Sequence, residues 1–218
     1  MNSLEVKSIT FGPFSENTFL LWDVSGECVV IDPGCSNTAE QKTIQSFIGT
    51  HSLQLKYILN THCHIDHVWG NRYFKERFKV PLYCPVGEEQ NLQMAETSAK
   101  LYGIPGFDPS PEPDRWIKAG EQVEFGKIVL ETLFTPGHTA GHLSYFNADT
   151  KKLFSGDVLF SDSIGRTDFP GGSHSVLMNS IFNVLLPLGD EVAVFSGHGP
   201  ETTLGREKRS NPFLLQDV

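Results

Sequence analysis

Thr61-His62-Cys63-His64-Ile65-Asp66-His67 places three imidazoles and a carboxylate within six residues, directly after the apolar run Tyr57-Ile58-Leu59. In an extended turn leaving a strand, residues two apart project to the same side, so His62 and His64 can grip one cation together. Asp66 and His67 then fall beyond the bend, free to hold a second. Neutral imidazole nitrogen and carboxylate oxygen suit zinc, iron or manganese. A two-metal site needs more ligands than this stretch contains, so other parts of the chain are expected to supply histidines and a bridging carboxylate.

Three later turns meet that expectation. Thr135-Pro136-Gly137-His138-Thr139, Ser155-Gly156-Asp157 and Ser196-Gly197-His198-Gly199 each follow a predicted strand and set a metal-capable side chain beside a small or rigid residue. The reading places His138 with His62 and His64 on a first metal, His198 with Asp66 and His67 on a second, and Asp157 between them. Crowding so many titratable groups costs stability unless a cation compensates them. His51 and His174 read as surface residues. His142, after Thr139-Ala140-Gly141, reads equally well as a supporting residue or a bystander.

Around these motifs the chain alternates strands and helices. Residues 4–11, 18–24, 27–31, 55–59 and 81–84 read as strands, and 37–47, 68–78 and 87–101 as helices. Asp32-Pro33-Gly34 ends the third strand, where Asp32 serves either as a turn residue or as a partner of a ligand histidine. Residues 103–114 carry four prolines and two glycines, which forbids a helix and predicts a stiff loop, read as a lid or rim beside the site, with an ordinary surface connection as the alternative. Strands follow at 122–125, 127–134, 142–146, 152–154 and 192–195, with helices at 173–186 and 202–210. The recurrence of this order in the two halves predicts two sheets packed face to face with helices outside, a four-layer αββα sandwich of α/β class.

The 218 residues are read as a single domain, 1–218; 39% are hydrophobic and 20% charged, as in ordinary globular proteins. The formal net charge of −9, with no basic arm, argues against nucleic acid as a partner. No run reaches the ~18 apolar residues of a membrane span, and the first residues show no secretory pattern. Cys28, Cys35, Cys63 and Cys84 form no CxxC pair, which fits a reducing cytoplasm. Alternation turns Cys63 away from its histidine neighbours, so it reads as a small buried residue.

Taken together, THCHIDH, TPGHTAGH, SGDVLF and SGHG resemble the metallo-β-lactamase superfamily, in order over nearly the whole chain. The resemblance implies the αββα fold and a dinuclear site held by residues matching His62, His64, Asp66, His67, His138, Asp157 and His198. Gly165-Arg166-Thr167-Asp168-Phe169-Pro170-Gly171-Gly172 and Thr203-Leu204 with Asn211-Pro212-Phe213 are similar to the glyoxalase II-like hydrolases, which cleave S-lactoylglutathione. The chain ends five residues after Phe213, without the extra carboxy-terminal segment that holds glutathione in the complete enzyme. The expected activity is hydrolysis of a small-molecule acyl-thiol ester by water activated on two divalent ions, zinc first, with iron or manganese also matching the donors. Asp66 is the expected catalytic residue, and Arg166, Phe107, Arg206 and Lys208 are candidate substrate contacts. An iron-dependent persulfide dioxygenase and a non-catalytic, metal-stabilised module that binds thiol adducts are the alternatives.

Overall fold

The computed structural model describes residues 3–215 and divides into two compact units, Met1–Ile117 with Glu124–Val129, and Lys118–Val123 with Leu130–Val218. The first unit contains β1 (Glu5–Phe11), β2 (Glu16–Trp22), β3 (Glu27–Ile31), α1 (Thr38–Thr50), β4 (Gln54–Leu59), α2 (Ile65–Val68), α3 (Asn71–Phe78), β5 (Leu82–Pro85), α4 (Glu89–Leu101) and β6 (Arg115–Ile117). Its six strands lie in sequence order. The first three are antiparallel neighbours, joined by short turns, whereas β3 to β6 run parallel. Parallel pairing requires crossovers, which α1 supplies between β3 and β4, α2 with α3 between β4 and β5, and α4 between β5 and β6. Asn37 caps α1, its side chain accepting from the amides of Ala39 and Glu40 at 3.0 and 3.1 Å, a cap worth about 1 kcal/mol. Ile44 and Ile48 of α1, Phe74 of α3 and Ala95 of α4 share one buried cluster with Leu20, Val30, Ile58 and Leu82 of the sheet.

The second sheet is built from β7 (Gln122–Phe125), β8 (Ile128–Phe134), β9 (Leu143–Asn147) and β10 (Lys152–Gly156). After the small hairpin of β11 (Leu159–Phe160) and β12 (Ser163–Ile164) come α5 (His174–Ser180), β13 (Ala193–Ser196), β14 (Thr202–Thr203), α6 (Leu204–Ser210) and α7 (Pro212–Leu215). The sheet order is β14-β13-β10-β9-β8-β7, with β10 and β13 parallel. Leu177 and Met178 of α5, Leu204 of α6 and Leu214 of α7 bury against Leu153 and Val194 of this sheet. The β7–β8 turn belongs to the first unit, where Gly126 and Lys127 donate backbone N–H groups to Glu27 and Asp23 at 2.7 and 2.8 Å.

Several expected elements change at their ends. The helix expected over 68–78 is two pieces, because the Gly70 N–H donates to the Pro33 carbonyl at 2.6 Å. The helix expected over 173–186 stops at Ser180 and continues as a π turn, Ile181–Leu185, and a 3-10 turn, Leu186–Leu188. Pro187 has no N–H to extend a regular α-helix there. Thr202 and Thr203 pair with β13, and the Thr203 hydroxyl caps α6 by accepting from the Arg206 N–H at 3.2 Å. Residues 103–114 contain no helix or strand, as the prolines require. Among the described residues, no helix is long and apolar enough to cross a membrane.

Candidate functional site

In the first unit the candidate residues leave the carboxyl ends of parallel strands, the edge at which α/β sheets gather their ligands. Asp32 follows β3, His62 follows β4 and Glu88 follows β5. His62 stacks edge-on to His64 with ring centroids 4.8 Å apart, and lies 4.1 Å from the His67 ring. Asp66 and His67 ride on the single turn of α2, with His67 Nε2 3.8 Å from Asp66 Oδ2. His62 and His67 are completely buried, while Asp66 keeps 16% of its side chain exposed, so Asp66 alone of the three reaches solvent.

Hydrogen bonds decide the tautomers. The Thr61 hydroxyl donates to Asp32 Oδ2 at 2.6 Å, so towards His62 Nδ1, 3.1 Å away, it can only accept. His62 is therefore protonated at Nδ1 and carries its lone pair on Nε2. His67 Nδ1 lies 3.1 Å from Asp32 Oδ2, which calls for a proton on Nδ1 and a lone pair on Nε2 here too. Asp32 thus takes the role of histidine partner, in a left-handed conformation (φ 48°) that aspartate tolerates, while also accepting the Thr61 N–H at 2.7 Å.

The second unit repeats the pattern. Its residues follow β8, β10 and β13, which all run in one direction within the sheet. His138 Nδ1 donates to the Arg166 carbonyl at 2.7 Å, leaving Nε2 as the lone-pair atom, 3.6 Å from Asp157 Oδ2. His198 Nε2 is 3.4 Å from the same oxygen. His142 is buried and accepts the Asp157 N–H on Nε2 at 3.1 Å; its Nδ1 therefore donates to Thr135, 3.0 Å away. The lone pair of His142 is thus committed to the Asp157 backbone, which makes it a support for Asp157 and leaves it none for a metal. Gly137, at φ 130°, brings the His138 turn against α5 so closely that a Cβ would overlap Leu177.

These arrangements fit divalent metal ions. In each unit, imidazole nitrogens face carboxylate oxygens at 3.4 to 3.8 Å, an arrangement of donor atoms that a divalent cation lying among them would satisfy. His62, His64, Asp66, His67, His138, Asp157 and His198 each belong to His/Asp groups able to hold a metal ion.

The candidate substrate contacts are more dispersed. Phe107 packs edge-on against Trp69, centroids 5.4 Å apart. Arg166 donates from Nε and Nη2 to both oxygens of Asp168 at 2.6 Å and lies over the Phe169 ring. Arg206 is tied to Asp162, Ser161 and Glu207, and Lys208 Nζ lies 3.7 Å from Asp190. The charges of Arg206 and Lys208 are engaged with these acids. Cys63 is buried as expected, and its N–H donates to Glu88 Oε2 at 2.9 Å.

Two acids in this region are missed by the sequence reading. Glu88 is fully buried although it lies in a polar run. Glu16 in β2 is 1% exposed beside Asp32, Asp66 and His67, and burial pushes its carboxyl well above the usual carboxylate range. A buried strand with a lone acid was the only available sign of Glu16.

Residues 11–198 match the sequence profile of the Metallo-beta-lactamase superfamily. Hydroxyacylglutathione hydrolase GloC of Haemophilus influenzae is 38% identical over 97% of this chain and 98% of its own. Among solved structures, BLEG-1 B3 metallo-beta-lactamase superposes with a TM-score of 0.88 at 35% identity, covering 96% of this chain and 99% of its own. TTHA1623, solved in a di-iron-bound form, gives 0.85 at 36%, covering 95% of this chain and all of its own. The α/β fold class expected from the sequence, the metallo-β-lactamase sandwich, is the observed one.

Proposed function

Because the chain belongs to the metallo-beta-lactamase superfamily, we propose that it is a metal-dependent hydrolase of small acyl-thiol esters of the S-lactoylglutathione type. The observation that carries this reading is the set of Nε2 atoms on His62, His67 and His138, aimed by Nδ1 hydrogen bonds in His62 and His138 and by the 3.1 Å approach of Nδ1 to Asp32 in His67, with Asp157 between His138 and His198. On this reading His62, His64 and His138 would hold one divalent ion and Asp66, His67 and His198 the other, with Asp157 available to both. The profile match from 11 to 198 crosses from one compact unit to the other, which supports treating 1–218 as one functional domain. The similarity to a hydroxyacylglutathione hydrolase supports the thioester.

When bound, two divalent ions, zinc first, with iron or manganese also suited to the donors, lower the pKa of water towards ~7 and polarise the acyl carbonyl. Asp66, whose side chain keeps 16% of its surface exposed, accepts a hydrogen bond from the attacking water and aims it at the acyl carbon. His62, His67 and His138 keep their geometry during the reaction because each Nδ1 is already fixed by Thr61, Asp32 or the Arg166 carbonyl. A thiol leaving group has a pKa near ~8.5 and departs as thiolate without a strong general acid, which matches a site whose titratable groups all serve as ligands or supports. Buried free thiols at Cys28, Cys35, Cys63 and Cys84 support a reducing, cytoplasmic setting.

The test is to purify the protein, count its metals and offer S-lactoylglutathione and glutathione persulfide in parallel. About two metals per chain with thiol release and no oxygen uptake is the expected result. Oxygen consumption on the persulfide would instead make it an iron dioxygenase, and silence on both substrates would favour a binding module.

A further inference from the structure

Four prolines stiffen the segment between α4 and β6, and side chains of α3 strap it down. Arg72 lies 2.7 Å from Asp108 and donates to the Pro109 carbonyl at 3.0 Å, and Lys75 donates to the Glu112 carbonyl at 2.9 Å. These are contacts of partly exposed groups. One strap is different because it leads inward. Ser110 gives its own proton to the Pro111 carbonyl at 3.2 Å and accepts from Asn71 Nδ2 at 2.9 Å.

Asn71 is fully buried, and the same Nδ2 also donates to Asn60 Oδ1 at 2.8 Å. Asn60, equally buried, donates from its Nδ2 to the His67 carbonyl at 2.9 Å and to Asp32 Oδ1 at 3.4 Å. Asp32 in turn faces the Nδ1 of His67. The chain Ser110–Asn71–Asn60 therefore reaches His67 twice, at its backbone directly and at its ring through Asp32. All of these residues lie in the first compact unit. The arrangement is costly for a purely space-filling role. Asn71 Oδ1 is buried with no hydrogen-bond partner, a penalty that an apolar side chain of similar size would avoid. What asparagine provides is one amide nitrogen held between Ser110 and Asn60.

We propose that Asn60 and Asn71 are positioning residues that couple the segment around Ser110 to His67, so that movement of this segment is felt at the metal-binding ring. The proposal rests on the metal-site reading above and goes beyond it. The same segment carries Phe107, seated on Trp69 one residue beyond α2, so a substrate pressing on the segment would act on His67 through hydrogen bonds rather than by contact.

The experiment uses the full chain loaded with cobalt(II), with affinity measured by chelator competition and ligand geometry by the visible absorption spectrum. Asn71→Ala is expected to weaken one of the bound metals about 10-fold, the usual effect of losing a hydrogen bond behind a ligand. Ser110→Ala should weaken it about 3-fold, and the double variant should be no weaker than Asn71→Ala alone, because the effect passes through Asn71. Both single variants should alter the cobalt spectrum, which a loss of packing stability by itself would not do. Unchanged affinity and spectrum in Ser110→Ala, or additive losses in the double variant, overturn the coupling. Ser110→Ala carries the test by itself should Asn71→Ala fail to fold. Because the readout is metal affinity, it is independent of whether S-lactoylglutathione is turned over.

Discussion

Asp32 Oδ2 lies 3.1 Å from His67 Nδ1, and both side chains are buried. The carboxylate also accepts the N–H and the hydroxyl of Thr61, so it sees donors on every side. Asn at this position keeps the size and tolerates the left-handed backbone, but its amide nitrogen must face another donor. Asp32→Asn is therefore expected to cost about 1–3 kcal/mol of stability and to weaken metal binding roughly 10–100-fold. Thermal melts of the metal-free protein and chelator competition measure the two effects separately. Unchanged affinity would show that the His67 ring is oriented by something other than this carboxylate.

Gly34 makes room for Asp66. A Cβ at this position would overlap Glu16 Oε2 and lie 2.6 Å from the Asp66 carbonyl oxygen, which is backbone and cannot swing aside. Gly34→Ala should destabilise by about 1–3 kcal/mol, the range for overpacking a tight site. It should also reduce turnover by displacing α2. A melting temperature equal to that of the parent protein would contradict the close approach.

The grouping of His and Asp side chains able to hold a metal was legible because they are dense in the sequence: His62, His64, Asp66 and His67 fall within six residues, and His138, Asp157 and His198 each follow a strand beside glycine. The layered α/β architecture was legible because buried strands such as Cys28-Val29-Val30-Ile31 are apolar throughout. What escaped notice has a common physical cause. Glu16, Asn60, Asn71 and Glu88 are polar residues whose burial depends on partners distant in sequence, and nothing local separates them from surface residues. The π turn at Ile181–Leu185 escaped because Ile181, Phe182, Val184, Leu185 and Leu186 are apolar without a period. The strand β6 is three residues long and follows a proline-rich stretch that looks like loop to its end.

Arg166 and Asp168 set a limit at acid pH. The two hydrogen bonds from Arg166 hold the Asp168 carboxyl down to about 2. A folded-state pKa below the unfolded value of ~3.9 means that the pair contributes fully above pH ~4, and that its contribution is lost as pH falls through about 2. At neutral pH it is insensitive to pH. Both side chains are mostly exposed, so the contribution is small. In Arg166→Ala the Asp168 carboxyl should titrate near ~4 by NMR, its ordinary value. Metal binding should persist, because His138 donates to the Arg166 backbone carbonyl rather than to its side chain. An Asp168 titration that stays near 2 in the variant would assign the shift to another neighbour.

Glu88 fixes the ligand loop from behind. Its Oε2 accepts from the Cys63 N–H and from Asn91 Nδ2, each at 2.9 Å, in a fully buried position. Cys63 stands between His62 and His64, so this one amide sets the path of the backbone that spaces the two rings. Glu88→Ala removes the acceptor of the buried Cys63 N–H and of the partly buried Asn91 amide and should cost about 1–3 kcal/mol, with a further loss of metal affinity. Glu88→Gln keeps a carbonyl oxygen that can accept from both donors, and its amide nitrogen takes the place of the other carboxylate oxygen. If hydrogen-bond geometry is what matters, Gln restores most of the stability and affinity lost in Ala. If the negative charge is what matters, by attracting the cations held nearby, the two variants lose affinity equally while Gln still recovers stability. Melting curves of the metal-free proteins, set beside their metal affinities, separate these outcomes.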